Sequence, residues 1–316
     1  MSPPEKLICI VGPTACGKTT LGVRIAKKYN GEVVSIDSMQ IYRGMTVGTA
    51  APTAEETEGI PHHMVGVADP SESWSAARFV EQADRCVEDI LARNKRPVLV
   101  GGTGLYLEAL IAGRTFAPGE AGGAVRTALE REFAEKGIAP LLEELRQVDP
   151  ESAAKLHPAD VKRILRALEV YRETGRSKSD HDRETRSLPK KYAPITIGLN
   201  YRDRADLRAA IDRRVDAMMA AGLAEEVRAL LAAGVPPEAT AMQAIGYKEL
   251  AGALRGERSL EEAAEEVKLR SRQYAKRQLT WLRHLPDIHW ILWEKERDFA
   301  AALQNATKII LAMGLQ

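Results

Sequence analysis

The first third of the chain alternates between short apolar runs and longer segments in which apolar residues recur every three or four positions. The apolar runs predict buried strands at residues 6–11, 32–36 and 96–102. Helical spacing predicts helices at residues 18–29, 73–94 and 103–113. Strands that alternate with helices favour a parallel sheet with helices on both faces, so the predicted fold class is α/β.

The pattern changes after Gly113. Residues 114–159 keep helical periodicity without a convincing strand, which predicts a small all-helical insertion domain. A clear helix follows at 160–175, and the polar, basic stretch 176–191 is predicted to be a mobile loop. A strand returns at 193–201, so the insertion interrupts a single sheet. The predicted domains are a core of residues 1–113 and 160–316 and an insertion of residues 114–159.

The rest of the chain is predicted to be mostly helical, and its best-defined helix spans residues 259–285. Ser259 and Glu262 form a capping box at its start. Six Lys or Arg residues and no acidic residue lie between 268 and 283, and on a helical wheel Lys268, Arg272, Lys276 and Arg283 fall on one side. Either this side is simply solvated, or it follows the phosphates of a nucleic acid. A second basic group, Lys162, Arg163 and Arg166, lies on the helix 160–175.

Composition narrows the classes of partner and of site. The 45 Lys and Arg residues against 44 Asp and Glu residues give a net charge of +1, so nucleic acid would have to bind a local patch. Three cysteines without a C-x-x-C pair argue against a disulfide framework or a four-cysteine zinc site. No signal peptide and no run of about 18 apolar residues is visible. We therefore expect a cytoplasmic protein that does not contact a membrane.

Residues 12–19, GPTACGKT, match the pattern G-x-x-x-x-G-K-[ST] between a predicted strand and a predicted helix. We call this segment the P-loop. The backbone N–H groups of residues 14–19 and the helix start are expected to face an anion, with Lys18 adding a cation and Thr19 a ligand for Mg²⁺. Cys16 is either a space-filling residue or a thiol acidified by the helix start. The motif indicates a polyphosphate and leaves its identity open.

Asp37 directly follows the second predicted strand, at the sheet edge where ligands collect. Its carboxylate could ligate Mg²⁺, cap the next segment or accept a proton from a substrate. The third strand ends in Gly-Gly-Thr-Gly without an acidic residue, whereas many ATPases hold their metal with a carboxylate there. The equipment for nucleotide hydrolysis therefore looks incomplete.

Eight stretches occur in order along most of the chain. They are GPTACGKT, DSMQIYRGM, GTAAPT, HHM, GGTGLYL, RILRALEVYRETG, QAIGYKE and YAKRQLTWLR. In this set the chain resembles the tRNA dimethylallyltransferases, also called tRNA isopentenyltransferases. The P-loop motif alone is unspecific, whereas the whole set is highly specific.

The resemblance implies a P-loop-kinase-like core and transfer of a dimethylallyl group from dimethylallyl diphosphate to N6 of the adenosine 3′ to the anticodon. The diphosphate would leave intact. Asp37 would accept the N6 proton, and Thr103 would lie where donor and base meet. The diphosphate would be held with Mg²⁺ by the whole P-loop: Gly12, Pro13, Thr14, Ala15, Cys16, Gly17, Lys18 and Thr19. Besides Asp37, the implied tRNA contacts are Ser38, Met39, Gln40, Lys162, Arg163, Arg166, Gln243, Gly246, Tyr247, Lys248, Arg272, Lys276, Arg277 and Arg283.

The chain departs from the family pattern at two positions. Ala51 stands where the family usually has Lys, and Cys16 stands where it often has Ser. No zinc-finger extension is present, which implies a bacterial-type enzyme, and we expect a monomer. Three alternatives remain open: an adenylate isopentenyltransferase, a small-molecule P-loop kinase that uses ATP, and an RNA-binding module switched by nucleotide.

Overall fold

The computed structural model describes residues 4–117 and 123–315. The chain divides into two compact units, Met1–Ile111 with Lys191–Gln316, and Ala112–Lys190. None of the helices in the described residues combines the length and apolar character needed to cross a membrane.

The first unit is built on one parallel sheet. Its strands are β1 (Glu5–Val11), β2 (Gly31–Ile36), β3 (His62–His63), β4 (Arg96–Gly101), β5 (Tyr192–Tyr201) and β6 (Ile288–Trp293). They are ordered β3–β2–β4–β1–β5–β6, and every neighbouring pair is parallel. The predicted α/β class is therefore confirmed, and so is the return of the sheet after the insertion.

Apolar side chains of the helices pack against the sheet. Leu21 and Ile25 of the first helix, for example, pack with Ile10 and Ile197 of the central strands. The helices of this unit are α1 (Lys18–Lys28), α2 (Ala54–Thr57), α3 (Ala76–Ala92), α4 (Gly104–Ala112), α10 (Arg204–Ala220), α11 (Leu223–Ala232), α12 (Tyr247–Leu254), α13 (Leu260–Leu282) and α14 (Phe299–Ala312), with a 3₁₀ turn at Ala241–Gln243. The predicted capping box of Ser259 and Glu262 begins α13.

Two strands lie where none was predicted, and both are at the edges of the sheet. His62 and His63 pair with Val33 and Val34, although their polar side chains give no strand pattern. His63 Nε2 lies 2.7 Å from the buried Glu32 carboxylate. β6 pairs with β5 over six residues and directly follows a long helix, so its short apolar run is easily read as part of a helical region.

The second unit is all-helical, as predicted, but larger. Its helices are α5 (Ala124–Lys136), α6 (Ile138–Val148), α7 (Pro150–Lys155), α8 (Val161–Thr174) and α9 (Lys178–Ser187). Ile164 and Leu168 of α8 share one apolar cluster with Leu129 and Leu141. The unit therefore ends at residue 190 and not at 159, because α8 completes its core and Ser179 and Arg183 of α9 bond to Asp149 and Glu151.

The prediction of a mobile loop at 176–191 was wrong. The segment contains α9, whose only buried residue is Thr185. Ser177 accepts a hydrogen bond from the Asp180 N–H, and Lys178 pairs with Asp182 one turn on. Caps and ion pairs hold this helix in place of an apolar face.

Candidate active site

The predicted site segments meet at one edge of the sheet. The P-loop follows β1, Asp37 follows β2 and Thr103 follows β4. Strand register brings them together, since both Val11 and Ile36 stand opposite Gly101. In parallel α/β sheets this carboxyl edge is where ligands bind.

The P-loop begins at a position that only glycine can occupy. Gly12 has φ +152°, and a Cβ there would lie 2.3 Å from the Leu199 carbonyl oxygen. Three carbonyls of the loop accept hydrogen bonds from side chains. Lys18 Nζ donates to Pro13 O at 2.7 Å, Trp293 Nε1 donates to Cys16 O at 2.9 Å, and the Arg297 guanidinium donates to Ala15 O. These partially negative oxygens are thus neutralised before an anion arrives.

One expectation for the P-loop needs correction. The Thr14 N–H does not face an anion, because it donates to Gln278 Oε1 at 2.8 Å. The thiol question is also answered: Cys16 is fully buried, and burial raises the pKa of its thiol. Cys16 therefore acts as a space-filling residue.

A cavity of about 650 Å³ opens beside the P-loop. Thr19 and Thr20 line it. Burial lowers the pKa of the Lys18 ammonium and of the Arg214 guanidinium, whereas the negative charge of Asp37 raises both pKa values. Positive charge exceeds negative charge in its walls. The cationic side chains are Lys18, Arg213, Arg214, Lys295 and Arg297, and the carboxylates are Asp37, Glu56 and Glu296. Such a surplus suits a multiply charged anion.

Four of those five cations were missed by the sequence analysis. Arg213 and Arg214 are adjacent on α10, and Lys295 and Arg297 follow β6. The doublet in "IDRRVDAMM" was a possible signal, but an amphipathic helix with exposed arginines is common. The topology, and not the local sequence, brings these residues to the P-loop.

A second cavity, of about 280 Å³, adjoins the first. Ser38, Met39, Gln243 and Arg277 line it, as does Gly48. The two cavities share five lining residues, which are Thr14, Ala15, Asp37, Arg214 and Tyr274. A molecule in one cavity would therefore meet a molecule in the other next to Asp37.

Asp37 both caps a turn and faces this junction. Its Oδ1 accepts from the N–H groups of Met39 at 2.9 Å and Gln40 at 3.3 Å. Its Oδ2 accepts no hydrogen bond from the described residues. The Gln40 side chain instead ties two loops together, because Nε2 donates to the carbonyls of Thr49 and Ala50. Gln40 lines the larger cavity and not the smaller one, which Ser38 and Met39 line.

Thr103 lies in the short turn between β4 and α4. It lines neither of the two cavities, and its hydroxyl lies beside the phenol of Tyr274. Burial raises the pKa of Tyr274 to about 12, and the Asp37 charge acts in the same direction. Tyr274 thus stands at the junction of the two cavities.

The basic side of α13 is divided into two parts. Arg272 donates to Asp212 of α10 at 2.6 Å, and Lys268 pairs with Asp216 at 2.7 Å. These two cations are neutralised within the protein, so the tRNA contact that the resemblance implies for Arg272 is not supported. Further along the helix, three basic residues are exposed: Lys276, Arg277 and Arg283.

The segment 243–248 was predicted to contact RNA, and Tyr247 cannot do so. Its side chain is fully buried, and its hydroxyl donates to Glu226 Oε1 at 2.5 Å. Gly246 is buried too, while Gln243 and Lys248 are exposed. The same Glu226 carboxylate accepts from the N–H groups of residues 46–48, which lead to the wall of the smaller cavity.

The second unit has a basic cavity of its own, of about 560 Å³. Lys162, Arg163 and Arg166, the second basic group of the sequence, line it together. Arg166 is partly committed, because it pairs with Glu169 at 3.1 Å and donates to Ala117 O at 2.7 Å. Four further cations of this cavity were missed by the sequence analysis: Lys155, Lys178, Arg183 and Arg186.

Comparison with known proteins agrees with this geometry. A family model described as IPP transferase matches residues 40–285, and one described as isopentenyl transferase matches residues 5–65. A tRNA dimethylallyltransferase of Caldanaerobacter subterraneus subsp. tengcongensis is 45% identical over 302 residues, covering 95% of this chain and 96% of that protein. The one of Geobacter sulfurreducens is 47% identical over 293 residues, covering 93% and 94%.

Solved structures match as well. The tRNA isopentenylpyrophosphate transferase of Bacillus halodurans is 41% identical with a TM-score of 0.73, covering 98% of this chain and 96% of that one. A eukaryotic dimethylallyltransferase acting on tRNA is 29% identical with a TM-score of 0.83, covering 99% of this chain and 80% of that one. From the matched family model and these relatives, the chain belongs to the IPP transferase family, the tRNA dimethylallyltransferases.

Proposed function

We propose that this chain transfers the dimethylallyl group of dimethylallyl diphosphate to N6 of the adenosine 3′ to the anticodon of tRNA, and releases diphosphate. The observation that carries the proposal is the meeting of two cavities at Asp37. One cavity is lined by the P-loop and surplus cations, which suits a diphosphate. The other is lined by Ser38 and Met39, which suits a base that has left the anticodon-loop stack.

The donor reacts at its allylic carbon as the bond to the diphosphate oxygen breaks. Negative charge then grows on the leaving group, where Lys18 and Arg214 lie ready to neutralise it. The protein charges are already in place and need not reorganise during the step. No phosphoryl group is transferred, so a carboxylate after β4 is not required.

The acceptor amine is a weak nucleophile because its lone pair is delocalised into the adenine ring. Asp37 Oδ1 is held by two backbone N–H groups, which leaves Oδ2 to orient N6 and take its proton. One carboxylate can thus be both rigid and basic. Each oxygen has a separate task.

Magnesium fits the donor side of this site. Thr19 offers a hydroxyl and Asp37 a carboxylate on the same cavity, and both are hard oxygen donors. In the described residues no group of three or more His, Cys, Asp or Glu side chains could hold a metal. Mg²⁺ would therefore be held by Thr19 with diphosphate oxygens and water, and it would add positive charge against the leaving group.

We assign phosphate contacts with tRNA to exposed cations on each unit separately. In the first unit, the residues assigned are Lys276, Arg277 and Arg283 on α13, with Lys248. In the second unit they are Lys162 and Arg163, for which the described residues give no ion pair. Phosphates of the anticodon stem-loop would bind these side chains and make affinity dependent on salt.

A transfer assay tests the proposal directly. Protein and Mg²⁺ are mixed with an unmodified anticodon stem-loop and either dimethylallyl diphosphate or ATP. The RNA is then digested and its nucleosides are weighed by mass spectrometry. A prenylated adenosine formed only with the prenyl donor is the expected result.

Two other results would contradict the proposal. A prenylated free nucleotide without prenylated RNA would assign the acceptor to the small-molecule class. Phosphate release from ATP with no prenylated product would make the P-loop an ATP site.

A further inference from the structure

One buried side chain links the two sides of the candidate site. Gln278 lies on α13 and is 6% exposed, although glutamine is usually a surface residue. Its carboxamide uses both ends. Oε1 accepts from the Thr14 N–H at 2.8 Å, and Nε2 donates to the Gly102 carbonyl at 3.3 Å.

The two contacts join segments that are far apart in sequence. Thr14 is in the P-loop, and Gly102 precedes Thr103 in the turn after β4. The space for the carboxamide exists only because residue 102 has no side chain, since a Cβ there would lie 2.1 Å from Gln278 Nε2. The fit is therefore steric as well as polar.

The same helix also presents cations to solvent. Lys276 and Arg277 are exposed, and Tyr274, one turn before Gln278 on the same helix face, lines both cavities. Helix α13 therefore carries proposed acceptor contacts and also holds the donor loop. In the described residues, the Gln278 side chain makes the hydrogen bond from this helix to the P-loop.

We propose that Gln278 is a positioning residue, which fixes the P-loop against the β4 turn and so aligns the diphosphate of the donor with the base. It lines the donor cavity and acts on the P-loop through the Thr14 N–H. This inference rests on the proposed function in naming the donor. Without Gln278, the loop must be ordered when the anion binds, which weakens binding and alignment.

The first test replaces Gln278 by Met, which keeps an unbranched side chain of similar length and removes both hydrogen bonds. Gln304→Met is the matched control, because Gln304 is exposed on α14 of the same unit. Binding of inorganic diphosphate is measured by calorimetry, and kcat and KM for dimethylallyl diphosphate are measured with saturating stem-loop. The dissociation constant of the stem-loop alone is the third readout.

For Gln278→Met we expect diphosphate affinity and donor kcat/KM each to fall about tenfold, the effect of leaving buried polar groups unpaired. The stem-loop dissociation constant should stay within about twofold, because the exposed cations are untouched. Diphosphate affinity and kcat/KM equal to those of Gln304→Met would overturn the proposal.

A second variant tests the same contact without changing Gln278. Gly102→Ala displaces the carboxamide sterically, so it should give a similar loss, and the double variant should be little worse than either single one. Losses that multiply would overturn the proposal. This variant also decides the matter if thermal unfolding reveals that Gln278→Met does not fold.

The proposed function can fail independently. If the wild-type protein makes no prenylated adenosine, that function fails, yet the diphosphate affinities of the Gln278 and Gly102 variants still test the positioning role. If the wild type is active and both variants bind diphosphate normally, only the positioning role fails.

Discussion

Glu226 gives the most quantitative prediction, because its carboxylate collects five donors. Oε2 accepts from Thr46 N, Thr46 Oγ1 and Val47 N, and Oε1 accepts from Gly48 N and the Tyr247 hydroxyl. In Glu226→Gln the amide nitrogen cannot accept. Its least costly place is at the Oε1 position, where the Tyr247 hydroxyl can rotate but the Gly48 N–H loses its acceptor. One unpaired backbone N–H and the lost charge cost about 2 kcal/mol of unfolding free energy.

Thermal unfolding followed by circular dichroism measures this cost, with an expected drop in Tm of about 3 °C. Glu225→Gln is the control, because Glu225 is exposed and only pairs with Arg228 at 3.6 Å. Gly48 lines the smaller cavity, so kcat/KM for tRNA should fall with Glu226→Gln and not with Glu225→Gln. Equal melting temperatures for the two variants would refute this account of the loop.

The same pair of variants has a pH signature. Burial alone would raise the pKa of Glu226, but the backbone N–H groups and the Tyr247 hydroxyl bring that pKa below its usual value of 4.5. A lowered pKa in the folded state means that the stabilisation is present above pH 4.5 and is lost as pH falls through the folded-state pKa. The difference in unfolding free energy between wild type and Glu226→Gln should therefore become smaller as the pH falls into the acid range.

Three further predictions concern charge. Asp37→Asn keeps an oxygen for the backbone turn but cannot take a proton, so turnover should fall about 10² to 10⁴-fold. Stem-loop affinity, measured by fluorescence anisotropy, should stay unchanged. Near-normal turnover would show that Asp37 is not the base. Lys276→Ala should weaken stem-loop binding and reduce the slope of log affinity against log salt concentration by about 1. Arg272→Ala should change this slope less, because Arg272 already pairs with Asp212. Equal slopes for the two variants would mean that the basic side of α13 is only solvated and does not bind RNA. Glu32→Gln should cost about 2 kcal/mol in denaturant unfolding at pH 7, because the buried carboxylate that bonds to Arg93, Lys95 and His63 loses its charge. Arg93 holds the pKa of Glu32 well below its usual range, so this loss should shrink as pH drops below about 4.

Periodicity and local motifs allowed part of the fold to be predicted from the sequence. Strands β1, β2, β4 and β5 and the P-loop context have strong apolar patterns, and they were found where predicted. Helix α9 was missed because it has almost no apolar face, and β3 because two histidines form no pattern. Edge strands bury little, so their sequences are weakly constrained.

Site residues divide in the same way. The P-loop and Asp37 are consecutive with their strands and could be placed from sequence. Gln278, by contrast, meets Thr14 across 264 residues, and no local pattern separates it from the exposed Gln273 five positions earlier. The prediction that Tyr247 contacts RNA was wrong for the opposite reason. A tyrosine next to a lysine suggests an exposed side chain, but the fold buries this one.

The carbonyl partners of the P-loop bear on how the protein is made. Trp293 and Arg297 hold Cys16 O and Ala15 O across 277 and 282 residues. The P-loop therefore leaves the ribosome long before these two partners are synthesised. We expect nascent chains that stop before β6 to lack a formed anion site, so competence to bind the donor would report that synthesis has passed the last strand.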